Sequence, residues 1–245
     1  MRSLSSLLVV ASLFLLFLLS CDNDGHQTTS QFPHNDSGTI VAIGDSLTAG
    51  YGVPSTQAYP AQLERRLQAD GHHYRVVNAG VSGETSSGTL SRIDWIVNAL
   101  QPDIVIIASG GNDGLRATST ELLKKNLKAI LKALEQRGII IIFCGMRMLP
   151  NLGPYYRPDF EAVYPSIAKR YPVLFVPFLL EGVVGERSLI QNDGIHPTAE
   201  GYTVVVEHLY PYVLQAIHLL EEKQRQHKKE KAVKEGQKGG LVLKT

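Results

Sequence analysis

The stretch TIVAIGDSLTAGYG, residues 39–52, joins a short apolar run to a polar turn. The run 39–44 is nearly continuous and rich in β-branched residues, which is typical of a strand buried on both faces of a parallel sheet. Asp45 and Ser46 follow at the point where that strand would end. A Gly-Asp-Ser sequence at such a place can cap a helix, or it can present Ser46 as a nucleophile. The stretch alone leaves both interpretations open.

Four further apolar runs repeat the pattern of the first one. Strands alternating with helices predict an α/β fold, with helices on both faces of a parallel sheet. We therefore predict a three-layer α/β/α architecture around a central, parallel five-stranded sheet. The further strands are predicted at 74–80, 103–110, 138–145 and 173–178, and the helices at 58–69, 86–100, 119–136, 158–170 and 198–220.

The size and charge of the chain favour one globular domain with a separate basic tail. Of its 245 residues 44% are hydrophobic and 19% are charged, and the formal net charge is +1. One domain over residues 38–220 is the default at this size, and its charge does not favour binding to nucleic acid. Residues 221–245 contain eight Lys or Arg against four Glu. They are predicted to form a disordered tail, and contact with anionic lipid head groups is a further hypothesis.

The N-terminal segment MRSLSSLLVVASLFLLFLLSC, residues 1–21, carries one Arg before an apolar run. Because the run is short for a membrane span, residues 1–20 are predicted to be a secretory signal peptide. Its end resembles a bacterial lipobox, which implies that Cys21 is lipidated and that residues 21–37 form a flexible tether. An ordinary cleaved signal and an uncleaved anchor are the alternatives. The other cysteine, Cys144, lies in an apolar run and is predicted to be a buried side chain.

The loops after the predicted strands are rich in Gly, Asn, Asp, Ser and His. In a parallel α/β sheet such loops meet at the carboxyl edge, where ligands bind. Nucleophilic catalysis needs a hydroxyl, a base and a group that orients the base. Ser46 can supply the hydroxyl and His196 the base. Asp193, three residues before His196, can reach the far imidazole nitrogen if the chain turns there.

Donors for a developing oxyanion are available in the same loops. Three hydrogen-bond donors can come from these loops: the backbone N–H groups of Ser46 and Gly83 and the side-chain amide of Asn112. Each of these loop sequences by itself is weak evidence for a catalytic site, because such sequences also occur in ordinary turns. Together, in order and at predicted strand ends, they indicate one site. The chain has no G-x-S-x-G pattern, which argues against the nucleophile elbow of an α/β-hydrolase.

The blocks IGDSLTAGYGV, NAGVSGETSSGTL, ASGGNDGLR and NDGIHPTAEGY resemble the four blocks of the SGNH, or GDSL, hydrolase superfamily. They are most similar to its bacterial thioesterase, lysophospholipase and arylesterase branch, over most of residues 38–217. The resemblance implies a flavodoxin-like SGNH-hydrolase fold and a serine esterase that needs neither a metal nor an organic cofactor. It also implies a catalytic triad and an oxyanion hole, with these members: Ser46, Asp193 and His196 for the triad, and Ser46, Gly83 and Asn112 for the hole.

The resemblance also gives expectations about substrate, partners and location. The implied substrate is an acyl ester, such as a lysophospholipid, a thioester or an aryl ester. The alternatives are a carbohydrate acetylesterase of the same fold and a non-catalytic, lipid-tethered binding protein of the envelope. We expect a monomer, anchored by lipid in the bacterial cell envelope on the periplasmic face of a membrane. Six side chains in the site loops either line an acyl groove or belong to the packing: Leu115, Met148, Leu149, Leu152, Tyr155 and Tyr156.

Overall fold

The computed structural model describes residues 37–148 and 156–241. Five strands form one sheet in the order β2-β1-β3-β4-β5, and every neighbouring pair is parallel. The predicted five-stranded parallel sheet is therefore confirmed, with strand ends that differ from the prediction by up to two residues. The strands are β1 (Gly38–Gly44), β2 (Tyr74–Gly80), β3 (Ile104–Ala108), β4 (Ile140–Cys144) and β5 (Val173–Val176).

Helices cover both faces of this sheet, as the α/β/α prediction requires. On one face α3 packs against α5 and α5 against α6, and on the other face α2 packs against α7. Two short helices, α1 and α4, follow β1 and β3 directly. The α-helices are α1 (Ser46–Ala49), α2 (Tyr59–Ala69), α3 (Ser86–Leu100), α4 (Gly111–Leu115), α5 (Thr120–Glu135), α6 (Tyr156–Ala168) and α7 (Ala199–Leu241).

The two central strands carry the middle of the hydrophobic core. Residues 40–43 of β1 and 104–108 of β3 are completely buried. A Val, Leu or Ile side chain buried in this way contributes roughly 1.5–3 kcal/mol. Because helices cover both faces of these strands, their sequences are continuous apolar runs and do not alternate.

A close approach between the ends of β1 and β2 places α1. A Cβ at Gly80 would collide with the backbone N of Ala49, so only glycine lets α1 pack on the end of β2. In the same region the Val81 N–H donates to the Gly44 carbonyl at 2.9 Å. This contact brings the turn that holds Ser46 next to the loop that follows β2.

The last helix is longer than predicted. Helix α7 runs from Ala199 to Leu241, so the predicted end at Leu220 and the prediction of a disordered tail from residue 221 are wrong up to Leu241. Glu, Lys, Gln and Arg are strong helix formers, and they dominate this part of the chain. His218 also lies 3.1 Å from Glu222, and the Lys223 ammonium donates to the Gly138 carbonyl at 2.5 Å. These local preferences continue the helix although the segment is polar.

Several N-terminal predictions lie outside the described residues. The signal peptide over 1–20, the lipidated Cys21 and most of the tether over 21–37 belong there. Of the helices in residues 37–148 and 156–241, none is long and apolar enough to cross a membrane. Cys144, at the end of β4, is completely buried as predicted, and this burial raises the pKa of its thiol.

Candidate active site

Ser46 is the first residue of the short helix that follows β1. Asp45 precedes it, and the Asp45 side chain accepts a hydrogen bond from the Leu47 N–H at 3.0 Å. The helix ends after one turn at Gly50, which has a φ of 84°. The Gly-Asp-Ser sequence is therefore a helix-capping turn, and that turn holds Ser46 at the carboxyl edge of the sheet.

His196 and Asp193 lie in the loop that leads into α7. The Ser46 hydroxyl is 2.8 Å from His196 Nε2, and His196 Nδ1 is 2.6 Å from Asp193 Oδ2. The other Asp193 oxygen accepts from the N–H groups of Ile195 and His196 at 2.9 and 3.0 Å. The structure thus brings together the three side chains that the sequence proposes as hydroxyl, base and orienting acid.

The backbone of the loop before α7 fixes the position of the imidazole. The His196 carbonyl accepts from the Gln191 N–H at 2.8 Å, and Ile190 forms an isolated bridge with Pro197. The Tyr51 ring stands beside the imidazole, with 4.7 Å between ring centroids. Tyr51 was not predicted as a site residue, although it lies only five residues after Ser46.

The hydrogen bonds around the Asp193 carboxylate favour its ionised form. Burial would raise its pKa, but the hydrogen bonds from the His196 backbone and ring and from the Ile195 N–H outweigh it. Together they lower the pKa of Asp193 to about 2. A permanent negative charge at Nδ1 keeps the proton on that nitrogen, so that Nε2 can accept the proton of Ser46.

The three candidate oxyanion donors lie around the same turn. Gly83 has a φ of 79°, which lets the loop after β2 turn towards the site, and its carbonyl accepts from Arg116 at 3.0 Å. Within the described residues, no acceptor takes the N–H of Ser46 or of Gly83. The Asn112 amide nitrogen lies 3.1 Å from the Glu84 carbonyl and 3.3 Å from Asp45 Oδ2. Among the described residues two backbone donors are therefore free, whereas the side-chain donor is engaged.

Asp45, directly before the nucleophile, is a buried carboxylate with an exposed fraction of 2%. Burial raises its pKa to about 6, although the Leu47 N–H, His196 and Asn112 each favour the ionised form. No role beyond the turn was predicted for Asp45. Its position directly before Ser46 was the signal that could have drawn attention to it.

An apolar cavity of about 360 Å³ opens beside Ser46 and His196. Leu115 and Met148 line this cavity, in agreement with the predicted acyl groove rather than with packing alone. Tyr156 belongs to the packing instead, because its hydroxyl donates to the Thr118 carbonyl at 2.7 Å. The other predicted side chains, Leu149, Leu152 and Tyr155, lie outside the described residues. The structure adds apolar lining residues that sequence reasoning missed: Met146, Phe178, Leu180 and Val184.

No group of three or more His, Cys, Asp or Glu side chains within residues 37–148 and 156–241 is arranged to hold a metal ion. The groups that meet at Ser46 are a hydroxyl, an imidazole, a carboxylate and N–H donors. This set is suited to acyl transfer through a serine nucleophile.

Comparison with known proteins agrees with this geometry. Residues 42–204 match the GDSL-like Lipase/Acylhydrolase family. Esterase TesA of Pseudomonas aeruginosa is 38% identical over 173 residues, which are 71% of this chain and 86% of that protein. Thioesterase 1/protease 1/lysophospholipase L1 of Escherichia coli (strain K12) is 34% identical over 169 residues, which are 69% of this chain and 80% of that protein.

Similarity to solved structures supports the same assignment. A crystal structure of TesA superposes with a TM-score of 0.70 at 36% sequence identity, and the match covers 73% of this chain and 99% of that one. Residues 42–204, which match the family model, contain Ser46, Gly83, Asn112, Asp193 and His196. The resemblance that the sequence blocks indicate is thus confirmed, and the chain belongs to the GDSL-like lipase/acylhydrolase family.

Proposed function

We propose that this chain is a serine esterase in which Ser46 attacks the acyl carbonyl, His196 is the general base and Asp193 orients His196. The observation that carries the proposal is the continuous hydrogen-bonded chain of 2.8 Å from Ser46 to His196 and 2.6 Å from His196 to Asp193. Membership of an esterase and acylhydrolase family supports the same chemistry. No metal or organic cofactor takes part in this mechanism.

The reaction proceeds in two acyl-transfer steps. His196 Nε2 takes the Ser46 proton while the hydroxyl oxygen forms a bond to the acyl carbon. His196 then gives that proton to the leaving oxygen or sulfur, and the bond from the acyl carbon to the leaving group breaks. A water molecule repeats the sequence on the acyl-enzyme, which releases the acid and restores Ser46.

The oxyanion that forms in each step lies among three donors. These are the Ser46 N–H, the Gly83 N–H and the Asn112 amide. One such donor typically contributes about 3 kcal/mol to stabilisation of the transition state. The N–H groups of Ser46 and Gly83, which have no acceptor in the part of the chain that the structure describes, support this assignment.

We propose that the substrate is an acyl ester with an apolar chain, of the lysophospholipid, thioester or aryl ester class. The cavity of about 360 Å³ beside Ser46 supports this, because its apolar lining from Met146, Met148, Phe178 and Leu180 suits an acyl chain. The names of the two relatives, Esterase TesA and Thioesterase 1/protease 1/lysophospholipase L1, support the same substrate class.

We propose that the enzyme works as a monomer in the bacterial cell envelope, anchored through a lipid on Cys21. This proposal rests on the apolar run of residues 1–20 and on the small residue Ser20 before Cys21. The polar tether over residues 21–37 would give the catalytic domain freedom to reach lipid substrates at the membrane surface.

The decisive test is hydrolysis of a chromogenic p-nitrophenyl ester series, from acetyl to long acyl chains, by the wild-type chain and by Ser46→Ala. We expect Ser46→Ala to lose at least about a thousandfold in kcat with an unchanged unfolding midpoint. Ser91→Ala is the matched control, because Ser91 is an exposed serine on α3. Wild-type activity in Ser46→Ala would overturn the assignment of the nucleophile.

The same series tests the substrate class. Serine-dependent activity that rises with chain length supports the acyl-chain proposal, whereas activity on acetyl esters alone favours a carbohydrate acetylesterase. A serine-directed fluorophosphonate probe separates a catalytic protein from a binding protein. We expect it to label the wild-type chain and Ser91→Ala, and to leave Ser46→Ala unlabelled.

A further inference from the structure

One buried carboxylate lies between the nucleophile turn and Asn112. Asp45 Oδ1 accepts from the Leu47 N–H at 3.0 Å, and Oδ2 accepts from the Asn112 amide at 3.3 Å. The glycine at position 111 makes room for this arrangement, since a Cβ there would lie 2.9 Å from Asp45 Oδ2. The two oxygens of Asp45 thus contact the two segments that carry Ser46 and Asn112.

Both amide hydrogens of Asn112 have acceptors in the structure. One is directed at the Glu84 carbonyl at 3.1 Å, which ties Asn112 to the residue after Gly83. The other is directed at Asp45 over the longer distance of 3.3 Å. An amide nitrogen has only two hydrogens, so Asn112 can donate to an oxyanion only after one bond is released. The longer of the two is the bond to Asp45.

We propose that Asp45 is a positioning residue that holds Asn112 and the Ser46 turn in register, and that the substrate oxyanion replaces Asp45 as the acceptor of the Asn112 amide. This inference rests on the proposed esterase function. In the resting enzyme Asp45 keeps the Asn112 side chain beside the nucleophile. When the carbonyl oxygen becomes negative, it takes the N–H that Asp45 releases.

The burial of Asp45 supports a role beyond capping. A helix of four residues does not require a carboxylate at its N-cap, because serine and asparagine cap equally well. A buried carboxylate carries a desolvation cost that a neutral cap avoids. The titratable groups that face Asp45 are His196, which favours its ionised form, and Glu84, which opposes it. A carboxyl group keeps an acceptor oxygen whether it is ionised or protonated, so Asp45 can accept the Asn112 hydrogen bond in either state.

The test compares Asp45→Ser with the wild-type chain. Serine keeps an acceptor for the Leu47 N–H, so the cap remains, but its side chain is too short to contact Asn112 as well. We expect kcat and the rate of fluorophosphonate labelling to fall about tenfold to a hundredfold, with KM changed by less than twofold. A matched control is Ser119→Ala, which removes the cap of α5 away from the site and should lower stability only.

A double-mutant cycle shows whether Asp45 acts through Asn112. We expect Asp45→Ser to change kcat by less than twofold when Asn112 is already Ala, because the group that it positions is then missing. Equal losses of kcat in both backgrounds would overturn the inference, and so would wild-type kcat in a folded Asp45→Ser. If Asp45→Ser unfolds, Asp45→Asn replaces it in the same cycle. Failure of the proposed function itself shows separately, as activity in Ser46→Ala.

Discussion

Ser46 and His196 are 150 positions apart in the chain, yet their side chains lie within one hydrogen bond. Each is held by local backbone geometry: Ser46 by the turn that Asp45 caps, and His196 by the hydrogen bonds between Asp193 and the residues after it. The His196 side chain is only 14% exposed, so its position is constrained by its surroundings. At this scale the site depends on short-range hydrogen bonds that preorganise each side chain before substrate binds.

We expect Asp193→Asn to lower kcat by roughly ten-thousandfold while the protein stays folded. An asparagine can donate to Nδ1 of His196, which moves the ring proton to Nε2 and prevents that nitrogen from accepting the Ser46 proton. The measurement is steady-state hydrolysis of the preferred p-nitrophenyl ester. Asp94→Asn is the matched control, because Asp94 is a largely exposed carboxylate on α3. A loss of less than tenfold in Asp193→Asn would contradict the role given to Asp193.

The pH dependence of unfolding gives a second test of Asp193. Its pKa is lowered below the ordinary value of 3.8 to about 2, so its stabilising effect is complete above pH 4. The effect is lost as the pH falls through about 2. Urea unfolding between pH 2 and pH 8 should therefore show a steeper loss of stability below pH 4 in the wild type than in Asp193→Asn. Parallel curves over the whole range would contradict this account.

At the scale of elements, the loop between β2 and α3 depends on one ion pair. Glu84 follows Gly83 directly, and the Arg92 guanidinium lies 2.6 Å from its carboxylate. Arg92 also donates to the Ala79 carbonyl at 2.7 Å, at the end of β2. The Glu84 side chain is only 8% exposed and the Arg92 side chain 20% exposed. The pair therefore braces the loop that presents the Gly83 N–H to the site.

We expect Arg92→Ala to lower the free energy of unfolding by about 3–5 kcal/mol, because it leaves a buried carboxylate without its partner. Arg137→Ala is the matched control. Arg137 pairs with Asp94 at a similar 2.7 Å, but its partner is 71% exposed, so the expected loss is below about 1 kcal/mol. Chemical denaturation measures both variants. Equal losses would show that the burial of the Arg92 pair has no energetic consequence.

At the scale of the whole domain, the site and the C-terminal extension lie at opposite edges of the sheet. Ser46 follows the carboxyl end of β1, whereas Lys223 contacts Gly138, just before the amino end of β4. The chain also enters β1 at this amino edge, at Gly38. From Lys223 to Leu241 the helix extends for about 27 Å. An extension of this kind can touch a surface without covering the active site.

We expect the basic residues of this extension to increase binding to anionic phospholipid. Vesicle flotation of the full chain on phosphatidylcholine, with and without phosphatidylglycerol, measures the effect. Replacing Arg225, Lys228, Lys229 and Lys231 by Gln should reduce the additional binding caused by phosphatidylglycerol at least tenfold. Each basic residue near such a surface contributes up to about 1 kcal/mol to binding. This additional binding should also decrease at high salt, because salt screens the attraction between the basic side chains and the lipid.

The matched control for vesicle binding removes the same charge from another part of the domain. Lys124, Lys125, Lys128 and Lys132 lie on α5, and replacing them by Gln makes the same change in net charge. We expect this control to bind anionic vesicles as the wild type does. An equal loss in both variants would point to net charge alone. No loss in either would overturn the expectation.

Much of the fold and of the site can be predicted from local sequence patterns. Continuous apolar runs such as 104–108 predict buried parallel strands, since both faces of such strands must be covered. A parallel sheet gathers its strand-end loops at one edge, so the order of blocks around Ser46, Gly83, Asn112 and His196 already predicts a common site. The helix beyond Leu220 was not predicted, because the composition of the segment indicated only that it is polar. Its many strong helix formers nevertheless make it helical.

The sequence by itself determined the strand pattern, the order of the site blocks and the types of side chain that carry the chemistry. These depend on residues that are neighbours along the chain or on one sheet edge. Only the tertiary structure decided that Asp45 contacts Asn112, that Arg92 braces the Gly83 loop and that Phe178 and Leu180 line the cavity. These contacts depend on how packed elements meet and on which groups lose water, and no local pattern encodes either.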